Sequence, residues 1–404
     1  MEQLMKQMET INKDVGMSWE MVKIKDITIN LDNKRKPLNE AERNKISKKK
    51  LYPYIGANNI MGYVDEFLYD EEIICIAEDG GSWGENQKCC VHIHEKCWVN
   101  NHAHVLGTNG KTDLKFLMYY LNANDLNKFI TGSTRGKLTK SALDSIQIPL
   151  PPLPIQKRIA EILDAADALK RKDQELLKKY DELAQAIFID MFGDPVKNEK
   201  GWEVKTIEQL VKKTRYSLKR GPFGGALKKE IFVSDGYLVY EQFHALNNDF
   251  TFGRYYINQE KYDELIAFDV KPKDIIISCS GIYLGKLAIV PEGAKPGIIN
   301  QALLKLTLDE NIYKNEFFVK VFTQENFKET YFASERGAAI PNFPPMATFK
   351  EFKFICPPIK IQNEYLNLVQ NLQNQTDIVS TEQKKSSSLF QTLIQKAFKG
   401  ELVA

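Results

Sequence analysis

Ile148-Pro149-Leu150-Pro151-Pro152-Leu153-Pro154-Ile155-Gln156-Lys157-Arg158-Ile159-Ala160 stands near the middle of the chain. Its centre, Pro151-Pro152-Leu153-Pro154-Ile155-Gln156, returns 206 residues later as Pro357-Pro358-Ile359-Lys360-Ile361-Gln362. Held at that offset without a gap, 151–194 and 357–400 share nine identities in 44 positions, among them Lys178/Lys384, Leu183/Leu389, Gln185/Gln391 and Phe192/Phe398. Average composition would supply about three. The echo extends outward. Trp19-Glu20-Met21-Val22-Lys23 opens the first half and Trp202-Glu203-Val204-Lys205 the second. An Arg-Gly element precedes each Pro-Pro, Ser133-Thr134-Arg135-Gly136 and then Ser334-Glu335-Arg336-Gly337. The chain therefore reads as unit, rod, unit, rod: a short segment 1–18, a first unit 19–150, a rod 151–194, a second unit 195–356 and a last rod 357–404.

The prolines hold the approach to each rod extended and are tolerated in a first helical turn. After them Ile159, Ile162, Ala166, Leu169, Leu176, Tyr180, Leu183, Ile187 and Met191 follow at steps of three and four, a heptad-like seam with one polar slot at Asp173. Lys170, Arg171, Lys172, Glu175, Lys178 and Lys179 fill the solvated face. Gly193-Asp194-Pro195 is a stop signal. About 38 residues at 1.5 Å each make a rod of about 57 Å, longer than an ordinary core helix. The second rod carries Ile361, Tyr365, Leu368, Val369, Leu372, Leu389, Leu393 and Phe398, with a weaker middle at Gln375, Glu382 and Ser386. A local break is expected at Ser386-Ser387-Ser388. Length and repetition favour antiparallel pairing of the rods through Ile159, Ile162, Leu169, Leu176, Leu183, Ile187, Leu368, Leu372, Leu389 and Leu393, leaving an outer stripe for a partner.

At 404 residues with 43% hydrophobic and 27% charged side chains, the chain is a globular protein of several folding units. Lys plus Arg (55) against Asp plus Glu (53) gives +2, so a nucleic-acid surface has to be a local patch. Six cysteines are too few for a disulfide scaffold. No apolar run suits a membrane helix, and the first sixteen residues do not resemble a secretory signal. A reducing cytoplasmic home is expected.

Short apolar runs such as Ile73-Ile74-Cys75-Ile76-Ala77 and Asp274-Ile275-Ile276-Ile277-Ser278 read as strands, making both units mixed α/β. Each opens with cations among aromatics and glycines, a mixture suited to a phosphate backbone approached closely. The first cluster holds Lys34, Arg35, Lys36, Arg43, Lys45, Lys48, Lys49 and Lys50 with Tyr52 and Tyr54; the second holds Lys212, Lys213, Arg215, Lys219, Arg220, Phe223, Lys228 and Lys229. Such runs also serve simply as solvated faces. Base edges are read by guanidiniums and amides, for which Asn58, Asn59, Arg135 (with Lys137), Gln242 and Arg336 are candidates.

Catalytic signatures are lacking. Gly281-Ile282-Tyr283-Leu284-Gly285-Lys286-Leu287 is one residue short of a phosphate-binding loop and has no hydroxyl after the lysine. Asn342-Phe343-Pro344-Pro345 scrambles the order an amino-methyltransferase uses. Cys89, Cys90, His92, His94 and Cys97, with His102 and His104 nearby, could approach a zinc ion but lack paired Cys-x2-Cys knuckles, and no metal is expected. Two copies of a unit without chemistry, joined by long rods, suggest recognition.

The layout resembles the specificity (S) subunit of type I restriction–modification systems over essentially the whole chain. The phrase 148–160 carries the likeness, together with Tyr54-Ile55-Gly56-Ala57-Asn58-Asn59-Ile60-Met61-Gly62-Tyr63, Asn100-Asn101-His102-Ala103-His104-Val105 and Gly221-Pro222-Phe223-Gly224-Gly225-Ala226-Leu227-Lys228. The resemblance implies an α/β protein with a pseudo-twofold internal repeat: two mixed α/β target-recognition domains separated by two long antiparallel helices that form a coiled coil. It implies a non-catalytic subunit that reads a bipartite, asymmetric site in double-stranded DNA. Two methylation subunits and the ATP-dependent restriction subunits would be its partners. S-adenosylmethionine, ATP and Mg would belong to those partners, with no cofactor in this chain. Two other readings stay open: a recognition arm of a related bifunctional enzyme, or a cytoplasmic coiled-coil protein binding a non-nucleic-acid ligand.

Overall fold

The computed structural model describes residues 19–57, 59–132, 134–332 and 343–402. The short segment expected at 1–18 lies outside the described residues, as do Asn58 and Arg336. The chain forms two compact units: one takes in everything up to Leu177 and from Ile378 on, the other Lys178–Asp377. Each holds an α/β head and part of both long helices.

In the first unit the strand Ile73–Ala77 is buried at every position, as its β-branched run demands. It lies antiparallel between Ala103–Thr108 and Cys90–Ile93, with Thr28–Asn30 beyond Ala103–Thr108. A second sheet places Tyr52–Ile55 antiparallel to Ile60–Val64 and parallel to Trp98–Val99. A two-stranded stem, Met21–Lys23 against Gln147–Pro149, closes the head. The helix Leu114–Ala123, capped by the Asp113 side chain, has two apolar faces. Leu114, Leu117 and Leu121 pack on the sheet, while Phe116, Tyr119 and Ala123 pack toward the long helices.

The second unit repeats this plan with one strand more in its second sheet. Ile275–Ser278 lies between Leu303–Leu306 and Leu287–Ile289, with Leu218–Arg220 outside. Tyr237–Tyr240 runs parallel to Gly297–Ile299 and antiparallel to Tyr256–Ile257, and Asp269–Val270 adds one edge strand. Val204–Thr206 and Lys353–Ile355 form the stem. The repeat read from Pro-Pro-x3-Gln is thus a repeat of topology.

Both rods are unbroken helices of 40 residues, Leu153–Phe192 and Ile359–Phe398, each about 60 Å long. The first stops at Gly193, whose φ of 72° suits glycine alone without cost. The glutamine of the repeated phrase latches each helix to its head. Gln156, fully buried, donates through Nε2 to the Pro151 carbonyl (2.8 Å) and the Lys111 carbonyl (3.1 Å). Its Oε1 accepts from Asp113 N–H at 2.9 Å and from Thr112 Oγ1 at 3.1 Å. Gln362 does the same: Nε2 to the Pro357 and Ile312 carbonyls (2.8 and 3.0 Å), Oε1 from Lys314 N–H (2.9 Å).

The rods run antiparallel within the first unit: Lys170 lies over the Phe390 ring and Asp173 meets Ser386, partners falling in number as positions rise. Ile159, Ile162, Leu163 and Ala166 bury with Phe390, Leu393, Ile394 and Ala397. In the second unit Phe188 and Phe192 pack on Tyr365 and Phe317. Two sequence expectations are corrected. Ser386-Ser387-Ser388 does not break the helix, because Ser386 is 2% exposed and hydrogen-bonded. Leu169, Leu183 and Leu368 do not serve the seam; they are 37, 45 and 48% exposed. The half-covered stripe keeps a seven-residue spacing but lies one residue later, through Lys170, Leu177 and Ala184. Leu176, Ile187, Leu372 and Leu389 are half-buried at its margins.

Candidate nucleic-acid interface

Backbone hydrogen bonds draw corresponding loops together at one end of the sheets in each head. In the first, Asn100 N–H donates to Ile55 O, Glu78 N–H to His102 O and Leu138 N–H to Glu78 O. In the second, Asn300 N–H donates to Tyr240 O, Cys279 N–H to Ala302 O and Phe343 N–H to Cys279 O. Each asparagine side chain also accepts from the residue two further on, His102 or Ala302. This register equates Asp32 with Arg220, Glu78 with Cys279 and Asp79 with Ser280.

The first head fills this place with a charge network. Arg35 binds Glu78 Oε2 (2.5 Å) and the Ala103 carbonyl (2.7 Å), with Asp32 Oδ2 at 3.4 Å. Lys137 reaches Glu78 (3.1 Å), and Arg135 and His102 both reach Asp79 Oδ1 (2.7 and 2.8 Å). His104, 2% exposed, lies between Asp32 Oδ2 (2.6 Å) and the Leu138 carbonyl (2.8 Å). Burial by itself raises the Asp32 carboxyl, but the hydrogen bonds from His104 and Val105 N–H outweigh it and hold the group below its ordinary value. Glu78 is likewise lowered, burial being overcome by Arg35 and Lys137.

Of the candidates in this head, Arg35, Arg135 and Lys137 come together on Glu78 and Asp79, while the Asn59 carbonyl accepts from Gly56 N–H in the turn that follows Ile55. Arg35 is neutralised, which removes it as a free phosphate contact. The basic run does not form one patch. Lys48, Lys49 and Lys50 lie at the other end of the Tyr52–Val64 hairpin, where their N–H groups wrap the Asp65 carboxylate at 2.7–2.9 Å. Lys34 pairs with Glu71, and Tyr54 is a core residue at 2% exposure whose hydroxyl accepts from Leu38 N–H.

In the second head Gln242 donates through Nε2 to Ser278 Oγ (2.8 Å) and the Ser280 carbonyl (2.9 Å). Arg220 lies 5.7 Å from the ring of Phe223, which is 75% exposed. Lys219, on the opposite face of the strand, lies over Tyr216 and Phe268, and Lys228 is exposed beside Gly225. Sequence reading missed Ile60 and Met61 at the start of the strand Ile60–Val64 and, in the second head, Phe243 in the helix Gln242–Asn247 and Tyr283, all exposed. Large apolar residues beside glycines were the available signal for Met61 and Tyr283, whereas Phe243 carried none. The Cys/His group disperses. Cys90 is buried in the sheet–helix core and Cys97 in another cluster, while His92 pairs with Glu72. Burial pushes the Cys89 and Cys97 thiols up to about 12. Among the described residues no three metal-ligating side chains cluster, and no helix is long and apolar enough to cross a membrane.

Comparison with known proteins adds to this. The family model described as "Type I restriction modification DNA specificity domain" matches twice, over residues 17–179 and 199–386. A putative type I restriction enzyme specificity subunit of Haemophilus influenzae is 27% identical over 365 residues, covering 87% of this chain and 86% of that one. The MjaIX specificity subunit of Methanocaldococcus jannaschii is 25% identical over 282 residues, 64% of this chain and 62% of its own. Among solved structures, the S subunit from M. genitalium superposes with a TM-score of 0.58 at 17% identity, covering 95% of this chain and 97% of that one, a likeness of fold. With both heads and most of both helices inside matches to one model, the chain belongs to the type I restriction–modification specificity family.

Proposed function

We propose that this chain reads a bipartite, asymmetric site in double-stranded DNA, one half per head, and carries no catalytic step of its own. The observation that bears most weight is the doubled head. One strand order and one loop plan occur twice, with different side chains at equivalent loop positions: Asp32, Glu78 and Asp79 against Arg220, Cys279 and Ser280. Two copies of one scaffold with different loop chemistry suit two different half-sites. The long helices act as the spacer, with half-sites about one turn of duplex, roughly 34 Å, apart. Exposed Leu169, Leu183 and Leu368 suit docking of two methylation subunits, which the ATP-dependent restriction subunits join. S-adenosylmethionine, ATP and Mg act in those subunits, and the complex works in the cytoplasm.

The test is a methylome of the source cell with and without this gene, followed by binding of the assembled complex to duplexes. One bipartite adenine mark, lost with the gene, is expected. Removing seven residues from each long helix is expected to shift the preferred gap or abolish binding. A complex that binds its two-part site no better than random duplex refutes the reading.

A further inference from the structure

Arg220 is the last residue of the outer strand Leu218–Arg220 and pairs with Leu304. Its neighbour Gly221 packs so tightly that a Cβ there would lie 1.9 Å from the Asn300 carbonyl oxygen. The backbone that aims Arg220 is therefore pinned. The side chain is half-buried beside Cys279, a neutral partner: burial pushes that thiol up to about 12. Among the described residues Arg220 has no carboxylate and no hydrogen-bond acceptor, and its Nε is buried without a partner. A cation held half out of water with a donor unmet costs free energy in the isolated chain. That cost is offset when an acceptor arrives. The guanidinium carbon lies 5.7 Å from the centre of the exposed Phe223 ring, and Gln242 nearby has its Nε2 fully engaged.

The first head differs at the same place. Asp32 stands where Arg220 stands, and the arginines of that loop cluster, Arg35 and Arg135, are held by Glu78 and Asp79. The unsatisfied guanidinium belongs to the second head alone among the described residues of these loops.

We propose that Arg220 is a specificity-determining residue that reads a guanine, its fork donating to O6 and N7 in the major groove, so that the half-site of the second head contains a guanine at one fixed position. This rests on the DNA-reading function proposed above. A planar fork matches the two guanine acceptors, whereas a phosphate contact would not need a donor held on a pinned strand.

The experiment uses the complex assembled with its methylation subunits and the bipartite site found by the methylome. Affinities of the unchanged chain, R220K and R220A are measured on that site, on copies with each guanine replaced by 7-deazaguanine, and on random duplex. In one half-site, a single 7-deazaguanine is expected to weaken the unchanged complex about tenfold or more. The same replacement should have no effect in either variant. Both variants should lose about 10- to 100-fold on the cognate site while binding random duplex within about twofold of the original. R220K keeps size and charge, so its result stands if R220A folds poorly. Equal losses on cognate and random duplex overturn the proposal, as do 7-deazaguanine penalties that persist in the variants. An unchanged complex that selects no two-part site refutes the underlying function, and that is seen before any Arg220 variant is made.

Discussion

Ser386 Oγ donates to Asp173 Oδ2 at 2.7 Å, so the polar slot of one long helix is met by a buried serine of the other. The same hydroxyl lies 3.1 Å from the Gln383 carbonyl of its own helix. A polar pair in an apolar seam costs stability but penalises other alignments, since a shifted register buries a carboxylate against hydrocarbon. S386A is expected to lower unfolding stability by about 1–2 kcal/mol because the carboxylate loses its donor. D173A/S386A should lose less than S386A alone. Urea unfolding of the four chains checks this, and additive losses would contradict it.

Gln156 and Gln362 make equivalent bonds at the bases of the two heads. Q156L leaves the Asp113 N–H and the Pro151 and Lys111 carbonyls buried without their partner and should cost about 3 kcal/mol. Q362L should cost a similar amount. Thermal or urea unfolding measures both, and a loss under about 1 kcal/mol would show that water replaces the amide.

Asp32 and Glu78 have carboxyl groups held below their ordinary values in the folded state. Each contributes stability that is present above the unfolded carboxyl range, about pH 4, and is lost as pH falls through the lower folded value. Asp274 in the second head has the opposite sign: burial raises it, so acid does not remove stability through that group. Hydrogen exchange between pH 6 and 3 is expected to show 73–108 opening before 275–306. D32N should be less stable at pH 7 and show a shallower acid limb.

All six cysteines are free and buried, and burial pushes their thiols up. A thiol-reactive disulfide reagent should label none in native protein at neutral pH and all six in denaturant. Cys89→Ser is expected to leave DNA binding unchanged. Rapid native labelling would show that a head opens.

The repeat, the rods and their antiparallel sense were legible because they rest on periodicity and on one phrase occurring twice. The seam was legible only to within one residue: Leu169 and Leu183 are exposed, while Lys170 and Ala184 beside them are half-covered. The basic cluster was misread for another reason. Lys48 to Lys50 are close in sequence to Arg35, but the hairpin carries them to the far end from Asn59. What neutralises Arg35 is Glu78, 43 residues away, which no local pattern reveals. Arg220 was visible as a cation, but that its buried Nε has no acceptor among the described residues belongs to three-dimensional packing alone.

The stems Met21–Lys23 with Gln147–Pro149, and Val204–Thr206 with Lys353–Ile355, bring the chain into and out of each head side by side, and the outgoing strand runs directly to the Pro-Pro. A head is thus a closed excursion from the rod. A gene exchange with crossovers in those two short strands could replace the whole excursion by a foreign one while leaving the helices and their latch glutamines in place, the incoming head supplying the partners that Lys111, Thr112 and Asp113 or Ile312 and Lys314 provide here. Such a chimera would inherit a new preference in a single step, a quicker route to altered taste than successive point changes.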